Sequence, residues 1–217
     1  MSNFIRLGNT EYKKIFVGNT EIRTAFIGNT EYYSSVSIID RQVNASEHDS
    51  TEFTTNNNVR YDGINDARAG RFANDDMVPS FLFDNITIPQ GATITAAYLQ
   101  FTAFHNLSGT VNVDLHCIDE DDTLALDAGS MVRDRPRTSN SVAWTIPDWT
   151  ASDRGPDQKT PDLKSIVQEV VDRSGWSSGN RLAFVGINNG GANTSRTVKT
   201  YDFDPVNAAS LHIEYSV

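Results

Sequence analysis

The chain has 217 residues, 38% of them hydrophobic, with eleven Phe, seven Tyr and three Trp. That is enough apolar surface to fill one large core, and it excludes a disordered chain. Its formal charge is −10; residues 1–35 carry a net +1, so the rest carries −11, and an acidic body without a basic stripe excludes nucleic acid and anionic membranes as partners.

Met1 to Arg6 lacks a basic region followed by an apolar one, and no apolar run of about 18 residues occurs anywhere. The expectation is a protein made without a signal peptide and without membrane insertion. A tandem repeat of period ten follows: Ile5-Arg6-Leu7-Gly8-Asn9-Thr10-Glu11, Ile15-Phe16-Val17-Gly18-Asn19-Thr20-Glu21 and Ala25-Phe26-Ile27-Gly28-Asn29-Thr30-Glu31. Gly and Asn tolerate positive φ, so Gly8-Asn9, Gly18-Asn19 and Gly28-Asn29 mark tight turns between β-rich stretches. Residues 1–35 are therefore predicted to form a small β-meander. A ten-residue unit cannot bury its own apolar face, and three such strands are marginal alone. It must dock on the same segment of other subunits, on the body or on a larger assembly, and the exposed Tyr12, Phe16, Phe26 and Tyr32 favour an intermolecular partner.

Residues 36–217 read as one all-β domain, a sandwich whose strands alternate with period two. Ala97, Leu99, Phe101 and Ala103 share one face of a strand. Val111, Val113, Leu115 and Cys117 share a face of the next, and Leu211, Ile213 and Tyr215 a face of the last. Asn106-Leu107-Ser108-Gly109 is predicted to join the first two as a hairpin, and Ile88-Pro89-Gln90-Gly91 to make another turn. The lone Cys117 excludes an intramolecular disulfide and reads as a small buried hydrophobe. One helix breaks the pattern: Leu163, Ile166, Val167, Val170 and Val171 recur at helical spacing, with Thr160 as N-cap, Pro161 at the first helical position and Gly175 as the stop. No Pro- or Ser-rich linker separates the repeats from the body, so the boundary at residues 34–37 is nominal.

Two stretches resemble known families. The Gly-Asn-Thr-Glu repeats, as in Lys14-Ile15-Phe16-Val17-Gly18-Asn19-Thr20-Glu21-Ile22, resemble N-terminal segments of tailed-bacteriophage virion proteins, tail and fibre components among them. Residues 43–49 with Ile86 through Phe101, the Thr160-Pro161-Asp162-Leu163 helix start, Gly175-Trp176 and Leu211-His212-Ile213-Glu214-Tyr215 resemble a family of jelly-roll modules similar to carbohydrate-binding domains of bacterial surface proteins. The resemblance implies a jelly-roll-like sandwich with one short helix, preceded by a β-repeat segment. It further implies a non-enzymatic virion protein (fibre, tail-associated or capsid-decorating), assembled in the host cytoplasm and anchored through its repeats to other virion proteins. Fibres of this kind are commonly three-fold, which implies a homotrimer, and the sandwich would face outward toward host-surface glycans. The rival readings are a purely architectural virion protein, a cellular carbohydrate-binding module, and an esterase or glycosidase.

Several side chains carry chemistry that bears on these rivals. Gly175-Trp176-Ser177-Ser178-Gly179 matches the letters of a nucleophile elbow, but the predicted order is helix, motif, strand, the reverse of what exposes the serine. Trp176 reads instead as packing under the helix end. None of His48, His105, His116 and His212 lies at a metal-ligand spacing, and His116 and His212 fall on polar strand phases, which predicts solvent-facing rings. No cofactor is required. Ca²⁺ is the ion that the acidic loops would take, with Asp119, Asp121 and Asp122 the candidate ligands, and Asp62 with Asp66 and Asp75 with Asp76 as further acidic pairs; a solvated acidic loop is the commoner outcome of such runs. For a sugar, the candidate stacking aromatics are Trp149 and Tyr61, with loop-anchoring the commoner role for a Trp, while Trp144 alternates with Val142 as core. The candidate assembly residues are the three Gly-Asn pairs with Phe16 and Phe26.

Overall fold

The fold is taken from a computed structural model. It describes residues 15–17, 20–23, 26–27, 30–31, 34–55, 58–60, 63–126, 132–190 and 193–217, with backbone alone before residue 36. In the repeat segment the strands are β1 (Ile15–Val17), β2 (Thr20–Arg23), β3 (Phe26–Ile27), β4 (Thr30–Glu31) and β5 (Ser34–Ser35). β1 pairs antiparallel with β2, Val17 opposite Thr20, and β3 with β4, Ile27 opposite Thr30. β5 adds to β2. The connecting Gly18-Asn19 and Gly28-Asn29, like Gly8-Asn9, lie outside the described residues.

The body is a β-sandwich. Its strands are β6 (Ser37–Gln42), β7 (Asp49–Phe53), β8 (Asn58–Arg60), β9 (Asp66–Phe72), β10 (Asp75–Ile86), β11 (Thr93–Gln100), β12 (Val111–Cys117) and β13 (Val142–Ile146), then helix α1 (Lys164–Val171), and finally β14 (Asn180–Asn188), β15 (Ser195–Lys199) and β16 (Ser210–Ser216). The small sheet runs β11-β16-β6 and the large one β13-β12-β14-β10-β7-β8, with β9 and β15 branching from β10, and all pairs are antiparallel. Among the described residues no helix is long and apolar enough to cross a membrane.

The alternation predicted from the sequence sets the core. Ala97 and Leu99 from the small sheet, with Phe101 and Ala103 just beyond β11, meet Val111, Val113, Leu115 and Cys117 from the large one, all at 5% exposure or less. Leu211 and Ile213 join them, and Trp144 and Trp176 are buried as expected. A second, smaller core lies under the segment after β12, where Ile118, Leu126 and Val132 cover Val78, Leu82, Ala183 and Val185.

One predicted connection is corrected. Residues 106–109 do not close a hairpin, because β11 belongs to the small sheet and β12 to the large one. The connection crosses the sandwich, and Leu107 exchanges backbone hydrogen bonds with Trp149 at 3.0 and 2.9 Å. The turn at 88–91 is present, with Ala92 N–H donating to the Pro89 carbonyl, but it too passes between sheets.

The helix begins later than Thr160. Residues 158–163 run extended along the open edge of β11: Phe101 N–H donates to Gln158, Thr160 N–H to Leu99 and Leu163 N–H to Ala97. The Thr160 hydroxyl accepts the Leu99 N–H at 3.0 Å, and Asp162 Oδ1 accepts both the Ala97 and the Lys164 N–H at 3.1 Å. Thr160, which reads as the N-cap, thus closes a sheet edge together with Asp162, because an unpaired strand edge competes for the same acceptors. The apolar stripe itself is as predicted, with Leu163, Ile166, Val167, Val170 and Val171 fully buried.

Candidate functional site

Most of the predicted site residues are tied to structural partners. Trp149 is only 4% exposed; its indole N–H donates to the Asp157 carbonyl at 3.0 Å and its ring lies 6.2 Å from that of Trp144. It therefore anchors a loop and offers no face to a sugar. Tyr61 lies outside the described residues. Asp119 and Asp121 both pair with Arg173, at 2.5 and 2.6 Å, and Asp122 takes the guanidinium of Arg181 at 3.0 Å. The hydrogen bond from Arg181 holds the Asp122 carboxyl below its usual range. Among the described residues no three His, Cys, Asp or Glu side chains gather as metal ligands. Phe16 and Phe26 sit in β1 and β3, where the side chains lie outside what the structure describes.

The other acidic pairs are also engaged. Asp66 bonds Arg68 at 2.7 Å, Asp76 bonds Arg71 at 2.6 Å, and Asp75 accepts from Thr54 and the Thr55 N–H; Asp62 lies outside the described residues. The two histidines on polar strand phases face outward but are crowded. His116 Nδ1 meets the Thr138 carbonyl at 3.1 Å. His212 stacks on Tyr98 at 4.8 Å and meets Asp40 at 2.7 Å, while Lys159 caps the same Tyr98 ring at 4.6 Å. This row across β11, β16 and β6 is a cross-strand ladder of the kind that stabilises sheets. Ser177 follows α1 and precedes β14, with its carbonyl accepting the Asn180 N–H in a turn.

Neither described depression suits a ligand by size and chemistry together. A cavity of about 30 Å³ among Phe81, Phe101, Trp144, Ile146 and Phe184 is apolar and far smaller than a ligand pocket. A depression of about 480 Å³ beside His116 is rimmed by Arg133, Arg135 and Arg137. Arg133 turns inward to buried Glu52 at 2.9 Å, and Arg135 donates to the Leu124 and Ala125 carbonyls, so the rim is held by internal bonds.

An exposed aromatic cluster lies where the segment after β11 meets β15. The segment after β11 pairs with the free edge of β15, Ala103 opposite Val198, which sets Phe104 and His105 beside Thr197 and Lys199. The Tyr201-Asp202-Phe203-Asp204 loop follows β15 directly. Phe203, 47% exposed, is held edge-on by Phe104 at 4.8 Å and 83°, and Phe104 in turn meets the His105 ring at 4.4 Å and 88°. Lys199 lies 5.7 Å from the Phe203 ring centre and pairs with Asp204 at 3.0 Å. Asn207 and then Lys199 hold the Asp204 carboxyl below its usual range. Val206, 80% exposed, extends the patch. A rigidly presented aromatic ring flanked by carboxylates and an ammonium can stack on the C–H face of a sugar and bond its hydroxyls. The sequence signal was available, an aromatic between two Asp in a turn ending at Pro205, but it is a weak one.

Behind this loop lies β7, whose Asp49, Ser50, Thr51 and Glu52 are all at 1% exposure or less. Ser50 bonds Ser80 at 2.5 Å, Thr51 accepts the Arg68 N–H, and Glu52 accepts the Arg133 N–H at 3.1 Å. Asp49 Oδ2 accepts the Tyr201 N–H at 2.8 Å, while Oδ1 has no partner. Burial, with Asp202 as a smaller contributor, pushes the Asp49 carboxyl up to about 7 against the lowering effect of the Tyr201 hydrogen bond.

No protein-family model matches the chain, and no curated protein matches it.

Proposed function

We propose that this chain is a non-enzymatic structural protein of a tailed-phage virion (fibre, tail-associated or capsid-decorating), seated by its N-terminal repeats and displaying the sandwich outward to a host-surface glycan. The observation that carries the reading is the run of three in-register Gly-Asn-Thr-Glu units placed directly before one sandwich body. Such repeats serve assembly because none can bury its own apolar face. The non-enzymatic part is supported by Ser177 lying on a helix-to-strand turn and by the structural engagement of Asp119, Asp121 and Asp122. The Phe203 patch, in place of Trp149, supplies the glycan-facing surface.

Three measurements test this. Electron cryomicroscopy of particles carrying the chain should place residues 1–35 in contact with neighbouring virion proteins and the sandwich at the outside. Glycan-array binding by the full-length protein should fall at least about tenfold in Phe203→Ala, the scale of one lost stacking contact. Binding to no glycan, with the repeats still seated in the particle, would leave the purely architectural reading in its place. Hydrolase activity lost in Ser177→Ala would overturn the non-enzymatic reading.

A further inference from the structure

Asn189-Gly190 is the only Asn-Gly step in the chain. It lies where β14 leaves the large sheet: Asn188 still pairs with Val113, and the Asn189 N–H donates to the Asn112 carbonyl at 3.0 Å. Both residues of the step are exposed. Gly190 has a φ of +80°, and even an added Cβ would meet nothing within 4 Å, so its nitrogen is uncrowded and its backbone is free to turn. Among the described residues nothing accepts the Gly190 N–H, and nothing bonds the Asn189 side-chain amide. Other asparagines are held. Asn188 donates its amide to Asp76 at 2.7 Å, Asn140 to Glu169 at 2.8 Å and Asn207 to Asp204 at 2.9 Å, and each of the three is followed by a residue with a side chain.

We propose that Asn189 is a site of spontaneous deamidation, with the Gly190 backbone nitrogen as the nucleophile. That nitrogen, its proton lost to hydroxide, bonds to Asn189 Cγ; the Cγ–Nδ2 bond breaks and ammonia leaves, which closes a five-membered succinimide. Water then opens the ring. Attack at Cγ gives aspartate in a normal backbone, and attack at the Asn189 main-chain carbonyl carbon gives isoaspartate, in which the chain runs through the side-chain carbons. Each ammonia released is matched by a water consumed, and nothing is oxidised or reduced. Neither an enzyme nor a cofactor is needed. Either product adds a carboxylate, ionised at neutral pH, to an already acidic body. Isoaspartate also lengthens the backbone by a methylene just beyond the Asn189–Asn112 hydrogen bond. Thr194, the residue before β15, is tied to two neighbours: its carbonyl accepts the Arg71 N–H at 2.8 Å, and its hydroxyl donates to the Thr110 carbonyl at 2.8 Å. A longer chain between β14 and Thr194 strains that junction.

The test incubates the freshly purified full-length chain in mildly acidic and in mildly alkaline buffer and samples it over time. Peptide mapping by mass spectrometry should show the peptide spanning Asn189 exchanging amide for acid ahead of those spanning Asn140 and Asn207. The exchange should be faster in the alkaline buffer, where more of the backbone nitrogen is deprotonated. Methylation by an isoaspartyl methyltransferase should label the same peptide. Gly190→Ala should slow the conversion at least about tenfold, the equivalent of about 1.4 kcal/mol in the barrier. Asn189→Gln would have to close a six-membered ring and should remove the label from that peptide. It leaves Gly190 in place, so it reports on the chemistry even if an alanine at φ +80° disturbs the turn. Conversion at Asn189 no faster than at Asn140 would overturn the proposal. So would a rate that does not rise with pH, or labelling of that peptide that survives in Asn189→Gln.

Discussion

At the scale of single residues, Asp49 makes stability depend on pH. Its carboxyl ordinarily titrates near 3.8 and in the fold near 7, so between those values the folded chain holds a proton that the unfolded chain has released. The stabilisation is complete below the unfolded value and is lost as pH rises through the folded one, on the order of 4 kcal/mol in all. Denaturant unfolding, followed from pH 4 to pH 8, should therefore show stability falling with pH, and Asp49→Asn should flatten that slope. A wild-type stability that is flat or rising over that window would refute the assignment. Trp149 belongs at this scale too. Because its indole packs against Trp144 and bonds Asp157, Trp149→Ala should cost about 3–5 kcal/mol by chemical denaturation and leave any glycan binding of the folded fraction unchanged.

At the scale of elements, the informative feature is how the sandwich closes its open edges. β11 pairs with β16 on one side, and on the other its N–H groups and that of Phe101 are met by the Gln158 carbonyl, the Thr160 hydroxyl, the Asp162 carboxylate and Gln168 Oε1. Thr160→Val keeps the shape and removes one acceptor from the buried Leu99 N–H, which should destabilise the body by about 1–3 kcal/mol in urea unfolding. The hairpin β9-β10 carries a tighter constraint at Gly70. Its φ is +96°, and an added Cβ would meet the Thr194 carbonyl at 2.5 Å, a backbone atom that already accepts the Arg71 N–H. Gly70→Ala should cost roughly 2–4 kcal/mol by the same measurement, and an unchanged midpoint would show that the β9-β15 pair shifts freely.

At the scale of the whole molecule, the charge is uneven: near neutral in residues 1–35 and −11 in the body. Association through the repeats, as proposed, would leave the acidic bodies apart, where repulsion is screened beyond about 8 Å in physiological salt. The repeat strands are short, with β3, β4 and β5 two residues each. Sheets so small gain stability from partners, and symmetric closure also removes their open edges. Light scattering should find the full-length chain a homotrimer and residues 36–217 a soluble monomer. A full-length monomer at micromolar concentration would rule out the trimer, and a truncated body that aggregates would show that the repeats belong to its core.

The sequence alone determined the all-β class, the inward faces of β11, β12 and β16, the apolar stripe of α1 and the burial of Cys117, Trp144 and Trp176. All of these follow from side-chain periodicity, which is local. The tertiary structure decided which sheet each strand joins, because pairing is set by partners far apart in the chain. That is why 106–109 crosses the sandwich and 158–163 lies along β11. It also decided the fate of the charges: Asp119 and Asp121 look like metal ligands until Arg173, more than fifty residues away in the chain, is placed between them. Asp49, Ser50, Thr51 and Glu52 of β7 are polar yet buried, because β7 lies between β10 and β8 in the large sheet. The unpartnered oxygen of Asp49 is a property of that burial, for a carboxylate lacks a partner only once the water around it has been replaced by protein.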